Sequence, residues 1–270
     1  MPTLETRDGT KVHYERQGQG PALILFSGTG HDHGFWSGQL PWFTPLFTVY
    51  TVDNRGVGRT RVKNHDYSLA DMADDGAAVL ASAGVTAAHV MGFSQGGHIA
   101  QEFALRHPQM ALSLGIHHSW ARMSPRLRDF QTLRCLLAEK GDRDSLVRVS
   151  LLALHAPEYY NKFGDEMAAH RQFLIRNSPP NAGWVGQLRA CLASDTYDRL
   201  GQIRVPVLVT TSELDLTVPP HHSHEIAQQI PGAELVVLKG TGHVALMETP
   251  ENFARICLAF LDRVTQSARA

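Results

Sequence analysis

Cysteine is scarce in this chain. Cys135, Cys191 and Cys257 are the only three in 270 residues, odd in number and far apart. That spacing offers no disulfide framework, so reduced thiols and a cytoplasmic location are expected. An excess of charge is missing as well. Lys plus Arg number 25 against 26 for Asp plus Glu, a formal charge of −1, which leaves no electrostatic case for nucleic acid or an anionic membrane. No apolar run reaches bilayer length. The opening Met1-Pro2-Thr3-Leu4-Glu5-Thr6-Arg7-Asp8-Gly9 has no basic segment leading into a long apolar stretch, so no secretory signal is expected. Internal repeats and low-complexity segments are likewise lacking. What is present is a 43% hydrophobic content, enough for one substantial core, or a core with a lid.

The hydrophobic pattern alternates between short buried runs and helical periods. Leu4–Arg7, an Asp8-Gly9 turn and Lys11–Gln17 read as a hairpin. Strands are then expected at Ala22–Phe26, Phe47–Asp53, Ala88–Met91 and Leu112–His117, with a helix at Leu69–Ala83 capped by Ser68 and carrying Asp71 in its first turn. Such alternation predicts a mainly parallel sheet wrapped on both faces. From about Met123 to Asp198 the strands stop. Helices are expected there at Arg126–Lys140, Asp144–His155, Glu166–Asn177 and Trp184–Ala193. Strands resume at Val205–Thr211 and Glu234–Leu238. The division is therefore a core of residues 1–122 and 199–270 with a helical cap at 123–198, inserted between the sixth and seventh strands.

Between the run Ala88-His89-Val90-Met91 and a helical face of Ile99, Ala100, Phe103 and Ala104 stands Gly92-Phe93-Ser94-Gln95-Gly96. A G-x-S-x-G element at a strand-to-helix turn holds its serine on a strained backbone with the hydroxyl exposed above the sheet. A serine hydroxyl needs a base, and the base needs an orienting carboxylate. Asp215 follows the Val205–Thr211 strand, and His243 follows the last strand within Gly240-Thr241-Gly242-His243. Both fall on loops past carboxyl ends of strands, where open α/β sheets bind ligands. Ser94 is thus the candidate nucleophile, His243 the general base and then acid, and Asp215 the orienting acid, with Glu213 as the fallback. For the oxyanion, one backbone N–H is expected from Gln95 and a second from Thr29 in the glycine-rich loop Ser27–Trp36.

With these residues the chain resembles an α/β-hydrolase-fold enzyme from about Leu4 to Val264. Asp53-Asn54-Arg55-Gly56-Val57-Gly58-Arg59-Thr60 is like the turn after the family's fourth strand, and Glu248-Thr249-Pro250-Glu251 is like its usual close. The Ser27–Trp36 loop and the Asp53 turn look most like the 3-oxoadipate enol-lactonase and esterase branch. The resemblance implies an α/β fold: a mostly parallel eight-stranded sheet with helices on both faces and a helical lid between strands 6 and 7. It also implies hydrolysis of a carboxylic ester or lactone through an acyl-enzyme, without cofactor or metal. The expected partner is a small ester or lactone, not nucleic acid or membrane; the oligomeric state stays open, a homodimer included. Three departures stand out. Ser27-Gly28 replaces a common His-Gly, polar Gln95 follows the nucleophile, and Ser94 stands where dehalogenases and epoxide hydrolases carry Asp.

Gly28, Trp36, His118, Trp120, Trp184 and Val218 are the candidate substrate-binding residues; Arg122, Arg126 and Arg128 are weighed against a substrate carboxylate but read as surface charge. The clusters His31-Asp32-His33 and His221-His222-Ser223-His224 read as solvated or capping histidines and not as metal ligands. Arg55 reads as part of a structural turn. Other chemistries on the same fold remain open: a thioesterase or acyltransferase, a carbon–carbon hydrolase, a cofactor-free dioxygenase, and a non-catalytic ligand receptor.

Overall fold

The structure is a computed structural model that describes residues 3–267. Met1 and Pro2 of the opening segment, and residues 268–270 at the end of the expected core, lie outside the described residues. The chain runs through β1 (Thr3–Glu5), β2 (Lys11–Gln17), β3 (Ala22–Phe26), α1 (Leu40–Phe43), β4 (Thr48–Val52), α2 (Leu69–Ser82), β5 (Ala88–Phe93), α3 (Gln95–Arg106) and β6 (Ala111–His117). Five helices follow: α4 (Pro125–Glu139), α5 (Arg143–Leu154), α6 (Pro157–Lys162), α7 (Gly164–Asn177) and α8 (Asn181–Ala193). The chain then returns to the sheet with β7 (Val207–Ser212), α9 (His221–Gln229), β8 (Glu234–Leu238), α10 (Ala245–Glu248) and α11 (Pro250–Ser267).

All eight strands form one sheet in the order β1-β2-β4-β3-β5-β6-β7-β8. β2 pairs antiparallel with β1 and β4, and the remaining pairs are parallel. Parallel strands covered on both faces read as continuous apolar runs, and every residue of β4 and β5 is buried. The two-residue period of a strand divides the core between the faces. Ile24 and Phe26 join a cluster with Leu80, Val90, Ile99 and Phe103 on one face. Leu23 and Leu25 join Phe43, Met91, Phe253 and Phe260 on the other. The inserted helices hold a smaller cluster of their own around Cys135, Leu146, Trp184 and Leu188. Among the described residues, no helix is long and apolar enough to cross a membrane. The three cysteines are free and buried.

Local differences from the sequence reading have physical causes. β1 stops at Glu5, short of Arg7, because the Asp8 side chain takes over the turn: its Oδ1 accepts from Thr6 Oγ1 at 2.6 Å and from Thr10 N at 3.0 Å. β7 begins at Val207 since Pro206 has no N–H for the ladder. At α2 the expected cap is a full capping box: Ser68 Oγ accepts from Asp71 N at 3.1 Å while Asp71 Oδ2 accepts from Ser68 N at 2.7 Å. Helix α6 has no counterpart in the sequence reading. Pro157 occupies its first turn, where a missing N–H costs nothing.

Candidate active site

Ser94 sits between β5 and α3 with φ 56° and ψ −116°, a sparsely populated conformation for a residue with a side chain. Its N–H donates to His117 O at 2.8 Å, and its carbonyl accepts from Ser119 Oγ at 2.8 Å. The flanking glycines are required by close backbone packing. A Cβ at Gly92 would run into the Gly96 carbonyl, and one at Gly96 into the Phe26 carbonyl. The turn is thus clamped on both sides, which holds the serine at the head of α3.

His243, on the loop after β8, is 1% exposed, and its Nδ1 lies 2.7 Å from Asp215 Oδ2. The other carboxylate oxygen of Asp215 accepts from Thr217 N at 2.9 Å and Val218 N at 2.8 Å. Burial raises the Asp215 carboxyl above its ordinary value, opposed by the charge and hydrogen bond of His243 and by those two N–H groups. Phe93 and His118 pack edge-on against the His243 ring, with centroids 5.2 and 5.7 Å away. The fallback acid Glu213 is elsewhere: it is exposed, and its Oε2 accepts from Gly240 N at 3.1 Å.

Ser94, His243, Thr29 and Gly28 line one cavity of about 40 Å³, together with Trp184. Gln95 is the first residue of α3, so its N–H has no acceptor within the helix. The loop after β3 is braced from several sides. Ser27 Oγ donates to Asp32 O at 2.9 Å, and Asn54 Nδ2 donates to Ser27 O at 3.0 Å. Gln187 of α8 accepts from Gly30 N at 2.7 Å and donates to Arg55 O at 2.9 Å, tying the loop to the Asp53 turn. These bonds brace the loop around Ser27.

Four of the expected substrate-binding residues stand elsewhere. Trp36, Trp120 and Val218 are fully buried core residues, because their apolar surface is better satisfied against the sheet than at the cavity mouth. Trp120 Nε1 donates to Ser194 Oγ at 3.2 Å, and Thr217, not Val218, reaches the wall. His118 lies behind the wall, stacked on Phe93, with its Nε2 2.8 Å from Ser212 Oγ. The Gln95 side chain does not enter the cavity either. It is buried beside the Cys191 thiol.

The histidine clusters also differ from expectation. Asp32 caps a short turn by accepting from Gly34 N, and His33 Nδ1 lies 2.7 Å from Asp53 Oδ1. His31, however, is a cavity-wall residue whose ring is pushed down to about 4 by burial. His222 is buried, with its Nε2 3.0 Å from Ser124 Oγ. Arg55 holds the Asp53 turn through Asp75, at 2.7 and 2.8 Å, and Asp8, at 2.6 Å.

The sequence reading passed over Arg134, Phe35, Phe93 and Leu174, all on the cavity wall. For Arg134 a signal existed. The buried positions of α4 are Leu127, Gln131, Arg134, Cys135 and Ala138, a helical stripe with the arginine inside it.

The geometry has close parallels. A hydrolase from Pseudomonas aeruginosa PA01 superposes with a TM-score of 0.88 at 28% identity, covering 96% of this chain and 97% of that one. The enol-lactonase from Burkholderia xenovorans LB400 has the same fold, with a TM-score of 0.88 at 24% identity over 97% of this chain and 100% of that one. In sequence, the chain is 32% identical over 267 residues to the Caulobacter vibrioides protein named "Putative carbamate hydrolase RutD", covering 96% of this chain and 98% of the relative. The family model described as alpha/beta hydrolase fold matches residues 21–250, and the chain belongs to that family.

Proposed function

We propose that this α/β-hydrolase cleaves a small carboxylic ester or lactone through an acyl-enzyme, with Ser94 as nucleophile, His243 as general base and acid, and Asp215 as its orienting carboxylate. One observation carries the reading. Ser94 and His243 face one cavity while Asp215 Oδ2 sits 2.7 Å from the far nitrogen of His243. That bond keeps the proton on Nδ1 and leaves Nε2 as the base. His243 then takes the Ser94 proton as the hydroxyl attacks the carbonyl. The N–H groups of Thr29 and Gln95 receive the oxyanion, a contribution of roughly 10²–10³ in rate per donor. Collapse expels an alkoxide that His243 protonates, and water activated by the same ring releases the acid. A lactone leaves as a single hydroxy acid.

The helical segment 123–198 acts as the cap of this cavity over a core of 1–122 and 199–270. A second reading, hydrolysis of a carbamate, is favoured by the name of the Caulobacter relative; attack at a carbamate carbonyl uses the same groups. The test is a chain-length series of aryl esters with small lactones and aryl carbamates, run on wild type and Ser94→Ala. Turnover that vanishes in the variant supports the serine mechanism, and the preferred acyl group, carboxylic or carbamoyl, separates the two readings. A folded wild type inert across the whole panel overturns both.

A further inference from the structure

One buried charge has no counterpart. Arg134, on α4, is 6% exposed and lines the same cavity as Ser94 and His243. Taking a guanidinium out of water is costly unless an opposite charge meets it. Arg55, the other strongly buried arginine of this site region, is met by Asp75 and Asp8. Arg134 is met by neutral groups only. Its Nε donates to Ser150 Oγ at 3.1 Å, and its Nη1 donates to Gln131 Oε1 at 2.9 Å. Ser150 in turn donates to Leu146 O at 2.7 Å, so its lone pairs are turned to the arginine. The rings of Trp184 and Phe130 flank the guanidinium at 5.4 and 5.7 Å. Among the described residues, Nη2 has no hydrogen-bond partner in the protein and Arg134 has no carboxylate in ion-pair contact.

The cavity wall reinforces this. It contains no Asp or Glu, and its titratable side chains besides Arg134 are His31 and His243. Burial pulls Arg134 down to about 10, still charged at neutral pH, and its charge helps keep His31 neutral. The guanidinium is therefore a fixed cation, clamped by two hydrogen bonds and two rings, with its remaining donors unspent.

We propose that Arg134 is a specificity-determining residue that binds a carboxylate on the substrate through Nη2, so that the protein prefers small esters or lactones bearing a free carboxylate over neutral ones. The planar fork suits a carboxylate, and in a cavity shielded from water the pairing gains over the same contact at the surface. Arg122, Arg126 and Arg128 are exposed; Arg122 lies over the Tyr197 ring and Arg128 donates to Leu192 O. The proposal rests on the reading of this cavity as the hydrolytic site.

The test compares kcat/KM for monoethyl and diethyl succinate and glutarate in wild type, Arg134→Gln and Arg134→Lys, with succinate binding measured by calorimetry in each. Wild type should favour the monoester at least tenfold. In Arg134→Gln that ratio should collapse by about ten- to a hundredfold, the ordinary worth of a charge-assisted hydrogen bond, chiefly through KM. Arg134→Lys keeps the charge without the fork and should fall between them; it serves also if Arg134→Gln does not fold. An equal or opposite preference in wild type, or an unchanged ratio in folded Arg134→Gln, overturns the proposal. The two readings fail separately. Ser94-dependent turnover of neutral esters with no succinate binding removes the Arg134 role and keeps the hydrolase. Arg134-dependent succinate binding with no turnover removes the hydrolase and keeps the anion site.

Discussion

The indole of Trp184 rests directly on Gly30. A Cβ on that glycine would come within 2.8 Å of Cζ3 and closer still to the neighbouring ring carbons. Gly30 also has φ +81°, a conformation that side chains rarely adopt. A residue of the inserted helices thereby sets the position of the loop that carries Thr29. Gly30→Ala must either push Trp184 aside or bend the loop. The expected outcome is a loss of about 1–3 kcal/mol of stability and, with the Thr29 N–H displaced, a fall of roughly 10² in kcat. Urea denaturation and steady-state kinetics on the same variant measure the two effects. Unchanged kcat with lowered stability would mean that Trp184 gives way and the loop stays in place.

At Ser94 the proposed role as nucleophile and the stability of the turn are set against each other. A non-glycine residue held at φ 56° stores strain of about 1–3 kcal/mol. Replacing it with glycine releases that strain but loses about 0.5–1 kcal/mol to the freer unfolded chain. Ser94→Gly should therefore be more stable than wild type by about 1 kcal/mol, a rise of roughly 2–4 °C in Tm for a domain of this size, and should hydrolyse nothing. Ser94→Ala, which keeps the strain, should be equally inactive without the full gain. Calorimetric scans of the two variants beside wild type measure the difference.

Much of this was legible in the sequence because it is written locally. The strand before Ser94, the helix after it and the two glycines around it are neighbours along the chain. Asp215 and His243 each follow a strand whose apolar run announces it. The cavity wall was less legible, since it is assembled from segments far apart. Apolar bulk marked Trp36 and Trp120 as wall candidates, but the same bulk is what draws a side chain into the core, and both are fully buried. Arg134 was hidden for the opposite reason. An arginine on a helix between β6 and β7 reads as solvated, and only its place on the stripe of Leu127, Gln131 and Ala138 gives it away.

Glu248 joins the inserted helices to the loop that carries His243. Its Oε1 accepts from Ala156 N at 2.9 Å, just past α5, and lies 3.2 Å from His155 Nδ1. Its Oε2 accepts from Gly242 N at 2.9 Å. Glu248→Gln places an NH₂ group against one of these N–H donors, so two donors face each other in a buried site. Loss of about 2–4 kcal/mol is expected. Since Gly242 precedes His243, kcat should fall along with stability, in contrast to a remote surface change. Denaturation midpoints and kcat, measured together, test the coupling.

Acid should unfold this protein through its histidines. Burial pushes the rings of His31, His89, His98 and His222 down from 6.5 to about 4, and that of His117 to about 3. A ring that stays neutral in the folded state but charges at 6.5 in the unfolded chain makes the unfolded state bind more protons below that pH. Stability then rises with pH across the window, is fully present above about 6.5 and is lost as pH falls toward 4. Each such histidine costs roughly 1 kcal/mol per pH unit inside the window, so several acting together remove a large part of the usual 5–15 kcal/mol of a domain. Urea midpoints should hold steady from pH 8 to 7 and drop steeply from 6 to 5. His89 packs away from the cavity, with its Nδ1 2.8 Å from Ser113 Oγ. His89→Gln should therefore flatten the acid limb without altering substrate preference. A midpoint that is level down to pH 4.5 would mean these rings take up protons in the folded state, and the burial argument would fail at its first step.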